Sequence, residues 1–138
     1  MGLMIDTNVF ILAEKAGGSI DFNRWQRFGE AFISCITVSE LLVGVHRANG
    51  AERRLRRQAF VETIISMVPA LDITVDVARI HAELVASLSP SQSIGAHDAL
   101  IGATALCNGH AVLTDNVRDF ERLKGLEVIP LFPDDEKF

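Results

Sequence analysis

Cysteine, lysine and long apolar runs are all scarce in this 138-residue sequence, and each scarcity removes a class of function. The two cysteines, Cys35 and Cys107, are too few and too far apart for a disulfide scaffold. In apolar surroundings they read as reduced, buried thiols of a cytosolic protein. No stretch approaches the roughly 18 apolar residues of a membrane span, and no charged segment followed by a short apolar one opens the chain. A soluble, cytoplasmic protein with no membrane partner is expected. There is no glycine-rich phosphate loop, CxxC pair or GxSxG elbow, so nucleotide-loop, zinc and serine-hydrolase chemistry lack support. A basic excess is lacking too. Thirteen Lys+Arg face eighteen Asp+Glu, a formal net charge of -5, which taken alone argues against a nucleic-acid partner.

What is present suffices for one packed core. Hydrophobic residues make up 49% and charged residues 22%, and the length suits a single domain over 1–138 without repeats or linkers. Leu3 to Asp6 reads as a short buried strand, followed by a helix over Val9–Lys15 that stops at Gly17-Gly18. Phe22, Trp25 and Phe28 recur every three positions, the mark of a helix docked by one face. They are read as core, with an exposed patch for a protein partner as the competing reading. Ala31 to Ile36 is a second strand, ended by Thr37, with a helix continuing over Glu40–Val45. The 3.6-residue period over Ala51–Val68 predicts a long helix. A short strand at Leu71-Asp72-Ile73 and a helix over Val75–Leu88 follow. After a polar loop come a very apolar helix over Ala96–Cys107, a strand at Ala111–Thr114, a short helix over Val117–Leu123 and a last strand at Glu127–Leu131. Residues 133–138 form an acidic tail. Strands alternating with helices imply a mostly parallel sheet covered on both faces, with any ligand site at the carboxyl ends of the strands.

The acids fall at that rim. Asp6 ends the first strand, Glu40 follows the second, Asp98 lies in the first turn of the helix entering the strand at Ala111, and Asp115 and Asp119 follow that strand. Each has an ordinary explanation. Thr37-x-x-Glu40 is a capping box, Asp98 suits a helix N-terminus, Asp6 suits a turn, and Asp119 suits a surface helix. All of these holding together at one rim is a poorer account than a shared site. Clustered carboxylates repel unless a proton or a cation relieves them. Oxygen donors without His or Cys select Mg²⁺ or Mn²⁺ over zinc. Such an ion suits phosphodiester chemistry, because it lowers the pKa of a water and neutralises the phosphate.

These residues resemble a known family. Leu3-Met4-Ile5-Asp6-Thr7-Asn8, Ile36-Thr37-Val38-Ser39-Glu40-Leu41-Leu42-Val43-Gly44, Asp98-Ala99-Leu100-Ile101-Gly102-Ala103-Thr104-Ala105 and Leu113-Thr114-Asp115-Asn116-Val117-Arg118-Asp119-Phe120 look like the four successive motifs of PIN domains. Gly125-Leu126-Glu127-Val128-Ile129 resembles their usual sequel. Length and motif order are similar to the VapC toxins of VapBC toxin-antitoxin pairs. The resemblance implies a three-layer α/β/α fold and a Mg²⁺- or Mn²⁺-dependent endoribonuclease acting on RNA, with transfer RNA among the expected substrates. It also implies a homodimer inhibited by a VapB antitoxin. Carried over by position, Asp6, Glu40 and Asp98 are the core metal-site acids. The fourth position lies among Asp115, Asn116 and Asp119. Asp119 is favoured, with Asn116 as a polar ligand and Asp115 facing elsewhere as a strand-end neighbour. Thr114 is expected to order the site through its hydroxyl.

The expected mechanism places an ion held by Asp6 and Asp98 against the scissile phosphate. A water oriented by Glu40 or Asp119 attacks in line, with the substrate's own 2′-hydroxyl as the alternative nucleophile. His97, beside Asp98, is a weaker candidate for substrate contact. Arg47, Arg53, Arg54, Arg56 and Arg57 form the one basic cluster. It reads equally as a solvated helix face and as a contact for the RNA backbone, with Arg47, Arg53 and Arg54 as the substrate-binding candidates. Two rivals remain. A phosphotransfer or phosphatase domain would want a lysine near its acids, and the only lysines are Lys15, Lys124 and Lys137. A non-catalytic PIN-like binding module would not need the acids. The charge balance now reads differently. Four negative charges belong to Asp6, Glu40, Asp98 and Asp119, and a net two to residues 134–137, which leaves twelve basic against eleven acidic residues. Acidity of this kind does not exclude RNA.

Overall fold

Three-residue strands cannot bury much surface alone, so the sheet of this protein depends on helices packed against both of its faces. The computed structural model describes residues 1–19 and 21–132; the acidic tail over 133–138 lies outside the described residues. The elements run β1 (Leu3–Ile5), α1 (Thr7–Lys15), a 3₁₀ helix (Asn23–Phe28), β2 (Ala31–Ser34), α2 (Cys35–His46), α3 (Ala51–Met67), β3 (Ala70–Leu71), α4 (Val75–Ala86), α5 (Ala96–Cys107), β4 (Ala111–Thr114), α6 (Val117–Phe120) and β5 (Val128–Pro130). The strands form one sheet in the order β3-β2-β1-β4-β5. Every pairing is parallel, with Leu3 opposite both Ala31 and Ala111 in the centre.

Strand alternation divides the core. Leu3, Ile5, Ile33, Ala111 and Leu113 face a cluster that includes Phe10, Leu41, Val45, Val61 and Ile64 from α1, α2 and α3. Met4 and Val112 face the other way, against Val77, Leu84, Ile101, Ala103 and Phe120 from α4, α5 and α6. The period of two along each strand thus yields the expected three-layer arrangement. The central strands β1 and β4 are buried along their whole lengths. Their carboxyl ends therefore lie at the middle of the rim, where chain reversals into α1 and α6 bring polar side chains together.

Several expectations shift. The second strand ends at Ser34 rather than Ile36, because the Ser34 side chain accepts the Ile36 N–H at 3.1 Å and starts α2 there. Thr37 is therefore inside the helix, fully buried, and the Thr37–Glu40 capping box does not form. The short strand is Ala70–Leu71, shifted one residue towards the N-terminus, and α6 stops at Phe120. Trp25 and Phe28 do lie on a helix, with Phe22 at its N-cap, but one of 3₁₀ type, whose own period is three. They are half-buried against the core on the α1–α3 side. Cys35 and Cys107 are free, as expected, yet half-buried rather than buried. Among the described residues no helix is long and apolar enough to cross a membrane.

Gly29 ends the 3₁₀ helix at φ 95° and ψ -155°, a region essentially reserved for glycine. A Cβ there would also run into the Met1 carbonyl oxygen. Gly29→Ala is expected to destabilise the fold by about 1–3 kcal/mol. Urea unfolding at neutral pH reads this directly, and an unchanged midpoint would show that the turn relaxes without cost.

Candidate active site

Asp6 follows β1 directly and occupies the N-cap position of α1, with φ -68° and ψ 144°, yet its side chain makes no capping bond. It is only 4% exposed. One carboxylate oxygen, Oδ2, accepts the Thr114 hydroxyl at 2.8 Å. Thr114, buried at the end of β4, in turn accepts the Asn116 backbone N–H at 2.9 Å. A central strand pair therefore delivers its two terminal side chains to each other, 108 residues apart. Burial pushes the Asp6 carboxyl from its ordinary 3.8 up to about 6. The Thr114 and Thr7 hydrogen bonds oppose this rise, and the charges of Asp98 and Asp115 add to it.

Glu40 arrives from α2. Its Oε1 accepts the Thr7 hydroxyl at 2.7 Å, and that hydroxyl also lies 2.9 Å from Thr37 Oγ1. Thr7 and Thr37 thus tie α1 to α2 and aim Glu40. The other oxygen, Oε2, lies 3.4 Å from His97 Nδ1. Asp98, in the first turn of α5, is half-buried. Its carboxyl is pushed up by burial and by the charges of Glu40 and Asp119, against the pull of His97 and an Asn116 hydrogen bond. Repulsion thus links the acids, from Asp98 and Asp115 to Asp6 and from Glu40 and Asp119 to Asp98.

Asp6, Glu40, Asp98, Asp115 and Asn116 line one open cavity of about 390 Å³, together with Thr7, Asn8 and Ile11. Asp115 was expected to face away, but it lines this cavity. It lies one residue past β4, where strand alternation no longer governs direction, and Asn8 Nδ2 holds both its oxygens at 3.0 and 2.8 Å. Asp119 stands beside the cavity without lining it. It accepts Asn116 Nδ2 at 2.9 Å and lies 3.2 Å from Arg122 Nη1, so an arginine already offsets its charge. Arg47, Arg53 and Arg54 do not line the cavity either. Arg47 closes the C-terminus of α2, and Arg54 donates to the Ala48 carbonyl at 3.4 Å. Sequence reasoning missed Asn8 and the Thr7–Thr37 pair. The only signal was their place in the two motifs, since both threonines and the asparagine also suit helix starts.

The donor set fits a hard divalent cation. It is all oxygen, and among the described residues no lysine or arginine side chain lines the cavity to compete. Among the described residues no group of three acidic, histidine or cysteine side chains already closes into a metal cage.

Residues 3–126 match the PIN domain family. The chain belongs to that family. This PIN domain is 39% identical over 130 residues to Ribonuclease VapC1 of Rickettsia felis, covering 94% of this chain and 96% of the relative. It is 33% identical over 137 residues to the tRNA(fMet)-specific endonuclease VapC of Salmonella typhimurium, covering 91% and 94%. Among solved structures, DNA-bound VapBC from Salmonella typhimurium matches with a TM-score of 0.75 and 29% identity, covering 94% of this PIN domain and 98% of that chain. VapBC2 from Rickettsia felis, bound to a promoter DNA fragment, matches with a TM-score of 0.82 at 23% identity and the same coverage, which supports the fold. The three-layer parallel architecture expected from the motifs is therefore that of the family.

Proposed function

We propose that this PIN domain is a VapC-type endoribonuclease, one domain spanning the chain, that hydrolyses phosphodiester bonds in RNA at the acid cavity. One observation carries the reading: four carboxylates and Asn116 face one cavity at the strand ends, with no basic side chain among the described residues that line it. The relatives named ribonucleases and a tRNA-specific endonuclease support RNA as substrate, with transfer RNA the first class to try. The VapBC structures support a VapB-type antitoxin as partner. A homodimer working in the cytoplasm completes the reading.

Asp6 and Asp98 are the proposed anchors for Mg²⁺ or Mn²⁺, with Asp115 and Asn116 at the same cavity. Asp119 orients Asn116 from outside. A bound divalent cation supplies charge neutralisation on the phosphate and makes a water more acidic. Thr114 holds Asp6 in place, and Thr7 aims Glu40. Glu40 is the favoured base over Asp119, because Glu40 lines the cavity while Asp119 is paired with Arg122. As the water oxygen bonds to phosphorus, its proton passes to Glu40 Oε2. The P–O bond on the far side breaks with its electron pair going to the departing oxygen, which takes up a proton from solvent water. Attack by the 2′-hydroxyl would instead leave a 2′,3′-cyclic phosphate.

The test is purified, antitoxin-free protein incubated with a pool of cellular RNAs in Mg²⁺, Mn²⁺ or EDTA. Discrete cleavage in either metal and none in EDTA is expected, with linear phosphate ends on the products. No cleavage under any metal condition, or undiminished cleavage in EDTA, would overturn the reading. Among the described residues no lysine lines the cavity to favour the phosphatase alternative.

A further inference from the structure

The acid cavity does not end at the acids. Ile11 and Glu40 also border a second cavity of about 160 Å³ between α1, α2 and α3, together with Glu14, Lys15 and Arg57. Glu14 and Arg57 in turn border a third, of about 430 Å³, lined by Gly17, Gly18, Arg53, Arg56 and Phe60. Neighbouring cavities share lining residues, so a row of cavities, an interrupted groove, leaves the acid rim along α1 and ends among three arginines, with the Glu14–Arg57 ion pair standing between the second and the third. Charge is graded along it. The near end carries carboxylates, and at the far end Glu14 is the one acidic side chain among the described lining residues.

The far arginines are held differently. Arg57 spends two donors, Nε on Glu14 at 2.9 Å and Nη1 on the Gly44 carbonyl at 3.1 Å. These bonds neutralise Glu14 and fix the guanidinium plane, leaving three of its five N–H groups for another acceptor. Arg56 pairs with Glu52 four residues earlier, with both side chains largely exposed, and such a contact yields readily to a phosphate. Arg53 is exposed on the turn that precedes Arg56 and Arg57. Arg47 and Arg54 lie outside this cavity. The basic cluster of the sequence is thus divided by the helix, with three members turned to the groove and two elsewhere.

We propose that the Arg53–Arg56–Arg57 cavity is an anchoring subsite for phosphates of the RNA strand, remote from the bond cut at the acids. The inference rests on the ribonuclease reading above. An RNA strand is the occupant that charge favours, since the groove joins a site for phosphate chemistry to a cationic cavity whose one large apolar lining residue is Phe60. The span agrees. Eight helical rises from Thr7 to Lys15 cover about 12 Å, or roughly three to four stacked nucleotides. The anchor holds the strand where the acid cavity would repel it.

The experiment uses Arg53→Gln/Arg56→Gln, which spares the structural Arg57. The control is Arg79→Gln/Lys124→Gln, which removes the same charge from exposed positions elsewhere. Binding of a fluorescent single-stranded RNA of about twelve nucleotides is followed against salt in EDTA. Affinity is expected to fall about tenfold at low salt, and the slope of log K against log salt to drop by about 1.4, against less than about twofold for the control. In Mg²⁺, KM for this RNA rises while kcat and cleavage of a dinucleotide stay unchanged. Equal losses in variant and control, or no loss, overturn the subsite. So does unchanged RNA binding with lost binding of a VapB-type antitoxin, which would make the cavity a protein-docking site. Selective loss of RNA binding in the variant, alongside a wild-type protein that cuts no RNA in any metal, would sustain the subsite and sink the nuclease reading alone.

Discussion

Asp98→Asn is expected to lower the rate of RNA cleavage by about a hundredfold or more, at least the loss seen when a side chain that orients a metal ligand is removed. The substitution preserves shape and removes only charge. Asp98 faces the acid cavity, and burial together with the fields of Glu40 and Asp119 raises its proton affinity. Its carboxylate is therefore held against an electrostatic cost that a helix cap does not require. The competing account, stabilisation of the α5 N-terminus, is worth at most about 2 kcal/mol at a partly buried position. Asp76 separates the two. It occupies the first turn of α4, as Asp98 does that of α5, but lies outside the cavity. Asp76→Asn should lose a similar small amount of stability and retain full cleavage. Single-turnover rates in saturating Mg²⁺ and urea midpoints in EDTA measure both. Full activity in the Asp98→Asn protein, or equal activity loss in both variants, would remove this acid from the reaction.

The rim was legible from the chain because parallel α/β geometry leaves few choices. Once Leu3–Ile5 and Ala111–Thr114 are strands and Ala96–Cys107 a crossover helix, Asp6, Asp98 and Asp115 must share an edge. The finer geometry was not legible, for local reasons. Ile36 extends the apolar run of β2, so nothing in hydrophobicity marks Ser34 as the point where the chain turns into α2. Moving that boundary carries Thr37 from a cap to a buried contact with Thr7 and gives Glu40 its support. Strand alternation has no force at Asp115, which lies beyond the last residue of β4. The arginines between Arg47 and Arg57 looked like one patch because sequence spacing alone does not show that Arg54 turns back to Ala48 while Arg57 reaches across to Glu14.

Asp6→Asn should raise the stability of the metal-free protein at pH 7.5 while abolishing its activity. The folded state holds the Asp6 proton more tightly than the unfolded chain does, about 6 against 3.8. The stability this contributes is fully present below pH 3.8. It is lost as pH rises through about 6, because ionisation is then easier in the unfolded chain. Above that window the ionised Asp6 costs about 3 kcal/mol. Asparagine carries no charge and still offers an oxygen to the Thr114 hydroxyl, so it escapes the cost. In EDTA the variant should exceed wild type by up to about 3 kcal/mol at pH 7.5, and the two should converge towards pH 3.8. Added Mg²⁺ should stabilise wild type, through binding to the folded state alone, and leave the variant nearly unmoved. Urea midpoints at both pH values, with and without the ion, give the four numbers required. A variant less stable than wild type at pH 7.5 would show that the Asp6 carboxylate is already compensated within the fold, and the case for a site needing an external cation would lose its main electrostatic support. If the expected order is found, the protein keeps at the centre of its rim a charge that weakens its own fold, a trade common where a site is shaped for function rather than stability.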